Sequence, residues 1–442
     1  MNIKIDSRKV VSGDTFIAIK GISDDGHKYI MDAIKNGATK VIVENGSYDV
    51  ETIVVSDTKK YLEDYLYNNY YEKIKHLKLI GMTGTNGKTT TCFLIYQALN
   101  KCDIKCAYIG TLGFYTDKKI DTSNTTPNLY DIYNMLIECV NNNYEYVVME
   151  VSSQGLAMGR VNTLLFDYVI FSNLTQDHLD YHKTMNNYLK EKVKLFSMTR
   201  NSYAIINNDS EYSKYFLLNN KNITYGKSNS DYVISDIKMD MNGSYFKLNG
   251  EEYYTKLIGE YNIYNVCVVI ILLKLLNISN KELIENLDYP DGRMNIIKYN
   301  GNYIIIDYAH TPDAVCKVLD TVSTLEHNKI ITLIGCGGNR DKSKRSIMGE
   351  IATDHSDFVM FTSDNPRNED PNDIIKDIVK GVYRSNYEIC VNRKKAIIKC
   401  VQMLSKNDIL LLLGKGHENY QIIGNKKFPF SDKKIVLKTI RS

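Results

Sequence analysis

A chain of 442 residues is too long for one ordinary hydrophobic core, so two or three domains are expected. With 43% hydrophobic residues, 24% charged residues and 6 prolines it is not a disordered chain. Its formal charge of +3 leaves no broad basic footprint, which argues against a nucleic-acid partner.

The opening MNIKIDSRKV lacks the apolar stretch of a signal peptide, and no apolar run is long enough to span a membrane. The nine cysteines are scattered; Cys102 and Cys106 form the one close pair, with no second pair or nearby histidine to complete a zinc site. These features read as a cytoplasmic protein with reduced thiols and no membrane partner.

Residues 1–75 mix the β-rich stretches TFIAIK and KVIVE with helical patterning and end in a Tyr-, Glu- and Lys-rich helix. Residues 76–292 open with an apolar strand around Leu79 and Ile80. They continue with the buried-strand candidates YVVMEV (146–151) and DYVIFSNL (167–174), each preceded by a helical pattern. Residues 293–442 carry four short apolar strands, YIIIDY, KIITLIG, DFVMFTS and DILLLLG, each closing in a polar, Gly-rich or Pro-containing turn. Alternating strands and helices predict an α/β protein with mainly parallel sheets. Ligands of such sheets collect beyond the carboxyl ends of the strands, where those turns lie.

The strongest motif is GMTGTNGKTTT (81–91), which follows a strand and opens a helix. Glycines let the backbone wrap phosphate closely and aim amide N–H groups at it. Gly84, Thr85, Asn86, Gly87, Lys88, Thr89 and Thr90 are therefore read as the ATP-phosphate site. Lys88 would neutralise the β/γ-phosphates and Thr89 would offer its hydroxyl to Mg²⁺. Met82 stands where the strict phosphate-loop pattern has glycine, so the loop is a variant. Glu150, at the tip of a strand, suits an oxygen-preferring Mg²⁺. His178, Asp180 and His182 crowd the loop NLTQDHLDYH; alone, that cluster reads more readily as a polar loop than as a site.

TGTNGKTTT, NTTP (124–127), MEVSSQGL, DHLDYH, GRM (292–294), DYAHTPDA (307–314), GCGGNRDKSKR (335–345), DNPR (364–367) and GKGHE (414–418) resemble, in order over nearly the whole chain, the Mur ligases. Within them the likeness is to the branch that adds the third residue to UDP-N-acetylmuramoyl-L-alanyl-D-glutamate. The resemblance implies three domains: a small N-terminal α/β domain for the uridine nucleotide (1–75), a central P-loop ATPase (76–292) and a C-terminal Rossmann-like domain for the amino acid (293–442). It implies an ATP- and Mg²⁺-dependent ligase of peptidoglycan precursor synthesis, working as a monomer on small molecules through an acyl phosphate.

By the same resemblance, Lys192 is the lysine that becomes carbamylated and helps hold Mg²⁺ with Thr89, Glu150 and His178; Lys190 and Lys194 lie nearby, and counting from DYH through Tyr188 favours Lys192. Lys88, Lys192 and His178 form the implied catalytic set. Asn262, Asn265, Arg293, Asp307 and His310 match ATP-contacting positions. Ser7 matches the uridine segment, and Asn124, Thr125, Thr126, Ser152 and Arg160 match muramoyl-peptide contacts; taken alone, NTTP is only a turn. Arg340, Asp364, Asn365, Pro366, Arg367, Gly414 and Glu418 match the amino-acid pocket. Arg367 could clamp a distal carboxylate and Glu418 could accept from a distal ammonium, as meso-2,6-diaminopimelate requires. L-lysine would leave Arg367 unpaired, which is how such pockets discriminate. Three alternatives stay open: a lysine-adding Mur ligase, another ligase that shares the loop, and a silent ATP-binding partner protein.

Overall fold

A computed structural model describes residues 2–21, 24–278 and 281–441. Three mainly parallel sheets follow one another along the chain. The first has four parallel strands, Ile3–Lys4, Thr15–Ile17, Lys40–Val43 and Glu51–Val54, in sequence order. The Tyr-rich helix Thr58–Ile74, capped by the Asp57 carboxylate, leads out of it.

The second sheet has 11 strands. Its parallel centre runs Thr199–Asn207, Phe166–Phe171, Lys78–Thr83, Tyr146–Glu150, Cys106–Gly110. Asn222–Gly226 and Tyr232–Asp240 continue it in parallel on one side, and antiparallel pairings close both edges, among them those of Gly243–Leu248 and Glu251–Thr255. The central strands are buried on both faces, which is why Lys78–Thr83 and Tyr146–Glu150 read as continuous apolar runs. One face is covered by the helix Lys88–Lys101 and by Glu260–Leu275, which is apolar all round and buried. The other face packs on Leu129–Asn141 and Met185–Ser197.

The third sheet runs Asn295–Tyr299, Asn302–Asp307, Ile409–Leu413, Ile330–Ile334, Phe358–Phe361, Tyr387–Ile389, and only its first strand is antiparallel. The helix Pro312–Ser323 begins with proline at its first turn and the Thr311 hydroxyl on the Ala314 N–H, so both start signals coincide. The C-terminal helix Asp432–Thr439 is tied down by a fully buried ion pair. Arg393 Nε and Nη2 meet the two oxygens of Asp432 at 2.9 and 2.7 Å, and Nη2 also donates to Leu413 O at 3.0 Å. The predicted α/β class and its four apolar C-terminal strands are all present. All nine cysteines are free thiols.

Candidate active site

The carboxyl ends of the second and third sheets face each other across the phosphate loop. The loop leaves the strand Lys78–Thr83 and enters the helix at Lys88. Gly84 sits at φ 146°, and a Cβ there would lie 2.0 Å from Ser172 Oγ, so no side chain fits. Lys88 Nζ donates to the carbonyls of Gly84 and Thr85 at 2.7 and 2.9 Å, folding back over its own loop.

Glu150 is buried beside it. Its carboxylate accepts from Thr89 Oγ1 (2.9 Å), Tyr108 OH (2.5 Å), the Thr111 N–H (2.8 Å) and Thr111 Oγ1 (3.2 Å). A carboxylate and two hydroxyls beside a phosphate loop make an all-oxygen donor set, which fits Mg²⁺. Arg293, from the domain junction, donates to Thr89 Oγ1 at 3.2 Å, and its guanidinium stacks on Tyr308 at 4.7 Å.

Lys192 is the buried lysine of its helix, while Lys190 and Lys194 are exposed. Its Nζ donates to Gly84 O at 2.7 Å and lies 4.6 Å from the Tyr188 ring, one helical turn earlier. Burial, with the neighbouring Lys88 charge, pushes the Lys192 amine well below its ordinary pKa. His178 has a left-handed backbone, φ 55°, and its Nε2 lies 3.4 Å from Asp177 Oδ2; burial lowers its imidazole to about 4. Burial alone would raise Asp177, but His178, Lys344 and His310 together hold its carboxyl far below the usual range.

Two cavities meet at the loop. One, of about 620 Å³, is lined by Asn262, Asn265 and Asp307 and by the rings of Tyr225, Tyr261 and Tyr264. Asn265 accepts from Thr91 Oγ1 at 3.0 Å and donates to Asn262 Oδ1 at 3.1 Å, so the two asparagines brace the loop's helix. Asp307 accepts from the N–H groups of Met294 and Ala309, and burial raises its carboxyl. The other cavity, of about 590 Å³, brings together Thr85, Lys88, Thr89, Asn124, Thr125, Glu150, Ser152, Arg160, His178, Arg340, Asp364, Asn365, Arg367, Gly414 and Glu418. Asn86, Gly87, Thr90, Arg293, Tyr308 and His310 line both.

Thr126 lies just behind the second cavity, where its buried hydroxyl donates to Glu150 O at 2.9 Å and Arg160 Nη1 donates to its carbonyl at 2.7 Å. Gly84 and Pro366 shape loops without lining either space, and Lys192 sits beneath the phosphate loop. Ser7, on a short turn of the first sheet, lines neither cavity.

At the far end of the second cavity, Arg367 adopts a left-handed backbone, φ 51°, unusual for a residue with a long side chain. Its Nη1 donates to Gly338 O at 2.8 Å. Burial, with the neighbouring Arg340, lowers its pKa, while the Asp364 and Glu418 carboxylates act the other way. Residues assigned no role from sequence complete the site. Tyr108 and Thr111 hold Glu150, and Tyr188 lies beneath Lys192. Asp313 accepts from Asn86 Nδ2 at 2.7 Å across the domain junction, and Lys415 is buried behind Glu418. Of these, Asp313 and Lys415 fell inside quoted motifs, which was the available signal.

Models of three protein families match the chain in succession: "Mur ligase family, catalytic domain" at 1–81, "Mur ligase middle domain" at 82–273 and "Mur ligase, glutamate ligase domain" at 292–416. The chain is 42% identical to the UDP-N-acetylmuramoyl-L-alanyl-D-glutamate--2,6-diaminopimelate ligase of Clostridium perfringens, covering 98% of this chain and 94% of that protein. It is 41% identical to the enzyme of the same name from Fusobacterium nucleatum, over 99% of this chain and 93% of that protein. A solved structure of a ligase of that name aligns at TM-score 0.69 and 31% identity, over 99% of this chain and 94% of the other. The MurF ligase of Thermotoga maritima in complex with ADP shares the fold at TM-score 0.71 and 19% identity, over 99% of this chain and 96% of that one. Matched along its length by these models and relatives, the chain belongs to the Mur ligase family.

Proposed function

We propose that this chain is the ATP-dependent ligase that joins meso-2,6-diaminopimelate to UDP-N-acetylmuramoyl-L-alanyl-D-glutamate in peptidoglycan precursor synthesis. The observation that carries the reading is the phosphate loop standing between two cavities that share Asn86, Gly87 and Arg293. A nucleoside can fill one, while an acceptor carboxylate and an incoming amine converge on its terminal phosphate from the other.

In this reading the D-glutamate carboxylate, oriented by Asn124, Thr125, Ser152 and Arg160, attacks the γ-phosphorus of ATP, the bond to the β,γ-bridging oxygen breaks, and an acyl phosphate and ADP result. An amine of diaminopimelate then attacks that carbonyl and phosphate leaves. Lys88 neutralises the phosphates, Asn262, Asn265, Asp307 and His310 belong to the nucleotide side, and Arg293 bridges both sides. Mg²⁺, held by Thr89, Glu150, His178 and a carbamylated Lys192, would supply charge neutralisation at the phosphates. Arg367, with Arg340, takes the distal carboxylate of diaminopimelate, and Glu418, beside Asn365, takes its distal ammonium. The contact of Asn86 with Asp313 and of Asp177 with Lys344 supports a closed arrangement that keeps water from the acyl phosphate.

The domains proposed are 1–75 for the uridine nucleotide, 76–292 for ATP and 293–442 for the amino acid, in keeping with the three sheets. A cytoplasmic monomer is the state proposed; among the described residues no helix is long and apolar enough to cross a membrane.

Phosphate release from ATP with UDP-N-acetylmuramoyl-L-alanyl-D-glutamate, comparing meso-diaminopimelate with L-lysine, tests the reading. Turnover with diaminopimelate is expected, and Arg367→Met should raise its KM by about 10- to 100-fold, the range for a lost hydrogen bond to a charged group. Preference for L-lysine would overturn the substrate assignment.

A further inference from the structure

We propose that Lys415 is a positioning residue of the amino-acid pocket, whose ammonium sets which edge of the Asn365 amide and which oxygen of Glu418 meet the incoming amino acid. The proposal deepens the reading above and rests on it for the identity of that pocket.

Lys415 follows the strand Ile409–Leu413 and is fully buried. It does not line the cavity that Asn365, Arg367 and Glu418 line, so it acts only through its neighbours. Its Nζ donates to Asn365 Oδ1 at 3.0 Å and to Glu418 Oε2 at 2.9 Å, lies 4.0 Å from Asp364 Oδ1, and sits 5.9 Å from the Tyr420 ring. Burying an ammonium is unfavourable, and a methionine would fill a similar volume without that cost. What the charge adds is orientation.

Asn365 Oδ1 accepts from Lys415 and also from the Ile422 N–H at 2.9 Å. Two donors converging on one atom define it as the amide oxygen, so Nδ2 must turn to Glu418 Oε2, 2.8 Å away. Oε2 then holds two donors. Oε1, whose one partner among the described residues is the Tyr420 hydroxyl at 3.5 Å, is left for a ligand ammonium. Without Lys415 the amide loses one of the two donors that fix Oδ1, leaving the Ile422 N–H and the Glu418 carboxylate to resist a flip, and Glu418 loses the cation that separates it from Asp364. Ile422 also accepts from the Arg367 N–H at 3.1 Å, so the same network reaches the backbone of the carboxylate clamp.

Steady-state kinetics of Lys415→Met, Glu418→Gln and the double variant test this, with thermal unfolding as the check on folding and Lys415→Gln as substitute if the methionine variant does not fold. Lys415→Met should raise KM for diaminopimelate about 10- to 100-fold while KM for ATP stays within about twofold. The double variant should be no worse than Glu418→Gln alone, because both changes remove one shared arrangement. An unchanged KM, or losses that multiply in the double variant, would overturn the proposal. A crystal structure of Lys415→Met separates this result from the substrate question. Reorientation of Asn365 or Glu418 supports the role even if the wild type prefers another amino acid, and retention of both overturns it.

Discussion

Lys88 and Lys192 donate to the same carbonyl oxygen, that of Gly84, each at 2.7 Å. Two ammonium groups at one acceptor repel, and burial lowers the pKa of both amines, that of Lys192 well below its ordinary value. A neutral buried amine can take up CO₂, whereas an ammonium cannot. Incubation with ¹³C-labelled bicarbonate should give a carbamate carbon signal that Lys192→Ala abolishes. Activity should fall in CO₂-depleted buffer, and fall further as the pH drops and the amine is protonated. A wild type without that signal would reject carbamylation and leave the rest of the site standing.

Tyr108 bonds the buried Glu150 carboxylate at 2.5 Å from beneath, amid the rings of Phe93 and Tyr115. Groups that orient a metal ligand in this way contribute about 10- to 100-fold to metal affinity. Tyr108→Phe should therefore raise the Mg²⁺ concentration needed for half-maximal phosphate release by about tenfold or more. KM for the amino acid should hardly move. A magnesium titration of both proteins decides it.

Hydrogen bonds and an ion pair cross the junction between the central and third domains. Asp313 accepts from Asn86 Nδ2 at 2.7 Å and from Lys317 Nζ at 3.0 Å. Asp313→Ala removes one cross-domain hydrogen bond, for which a loss of roughly 2- to 10-fold in kcat/KM for ATP is expected. Small-angle scattering should show a larger radius of gyration in the variant without ligands. Equal radii would place closure elsewhere, with the Asp177–Lys344 pair the next to change.

Glu369 accepts from Arg345 Nη1 and Nη2 at 3.0 Å each, and this holds its carboxyl at about 2, against an ordinary 4.5. A carboxyl depressed in the fold stabilises it above the unfolded pKa, and that contribution is lost as the pH falls from about 4.5 towards 2. Wild-type thermal midpoints should drop across that window. Glu369→Gln should start lower at neutral pH and drop less. A parallel decline in both proteins would assign the acid sensitivity to other carboxylates.

The apolar strands of the third sheet and the phosphate loop were legible because each announces itself locally. Ile409–Leu413 is buried at every position, and Gly84 can be nothing but glycine where Ser172 presses on it. The strands Tyr232–Asp240, Gly243–Leu248 and Glu251–Thr255 were not, because charged and tyrosine residues alternate through them where the sheet faces water. Counting from DYH through Tyr188 already favoured Lys192 over Lys190 and Lys194 in sequence; what the sequence did not show is that the helix buries Lys192 and leaves its lysine neighbours outside. Tyr108 and Asp177 earned no role because what matters about them is which distant group they touch. That information exists only once Tyr108 has met Glu150, and Asp177 has met Lys344.

The sealed pair of Arg393 and Asp432 makes the final helix a structural dependency of the amino-acid pocket. Asp432 is the counter-charge for a guanidinium that also grips Leu413, the residue immediately before Gly414. Asp432→Ala, which keeps the helix in place, would strand that guanidinium in the interior beside the end of the strand Ile409–Leu413, at a cost of about 3–5 kcal/mol. Such a change would disturb the proposed amino-acid pocket first, while the phosphate loop, carried by another sheet, kept its shape.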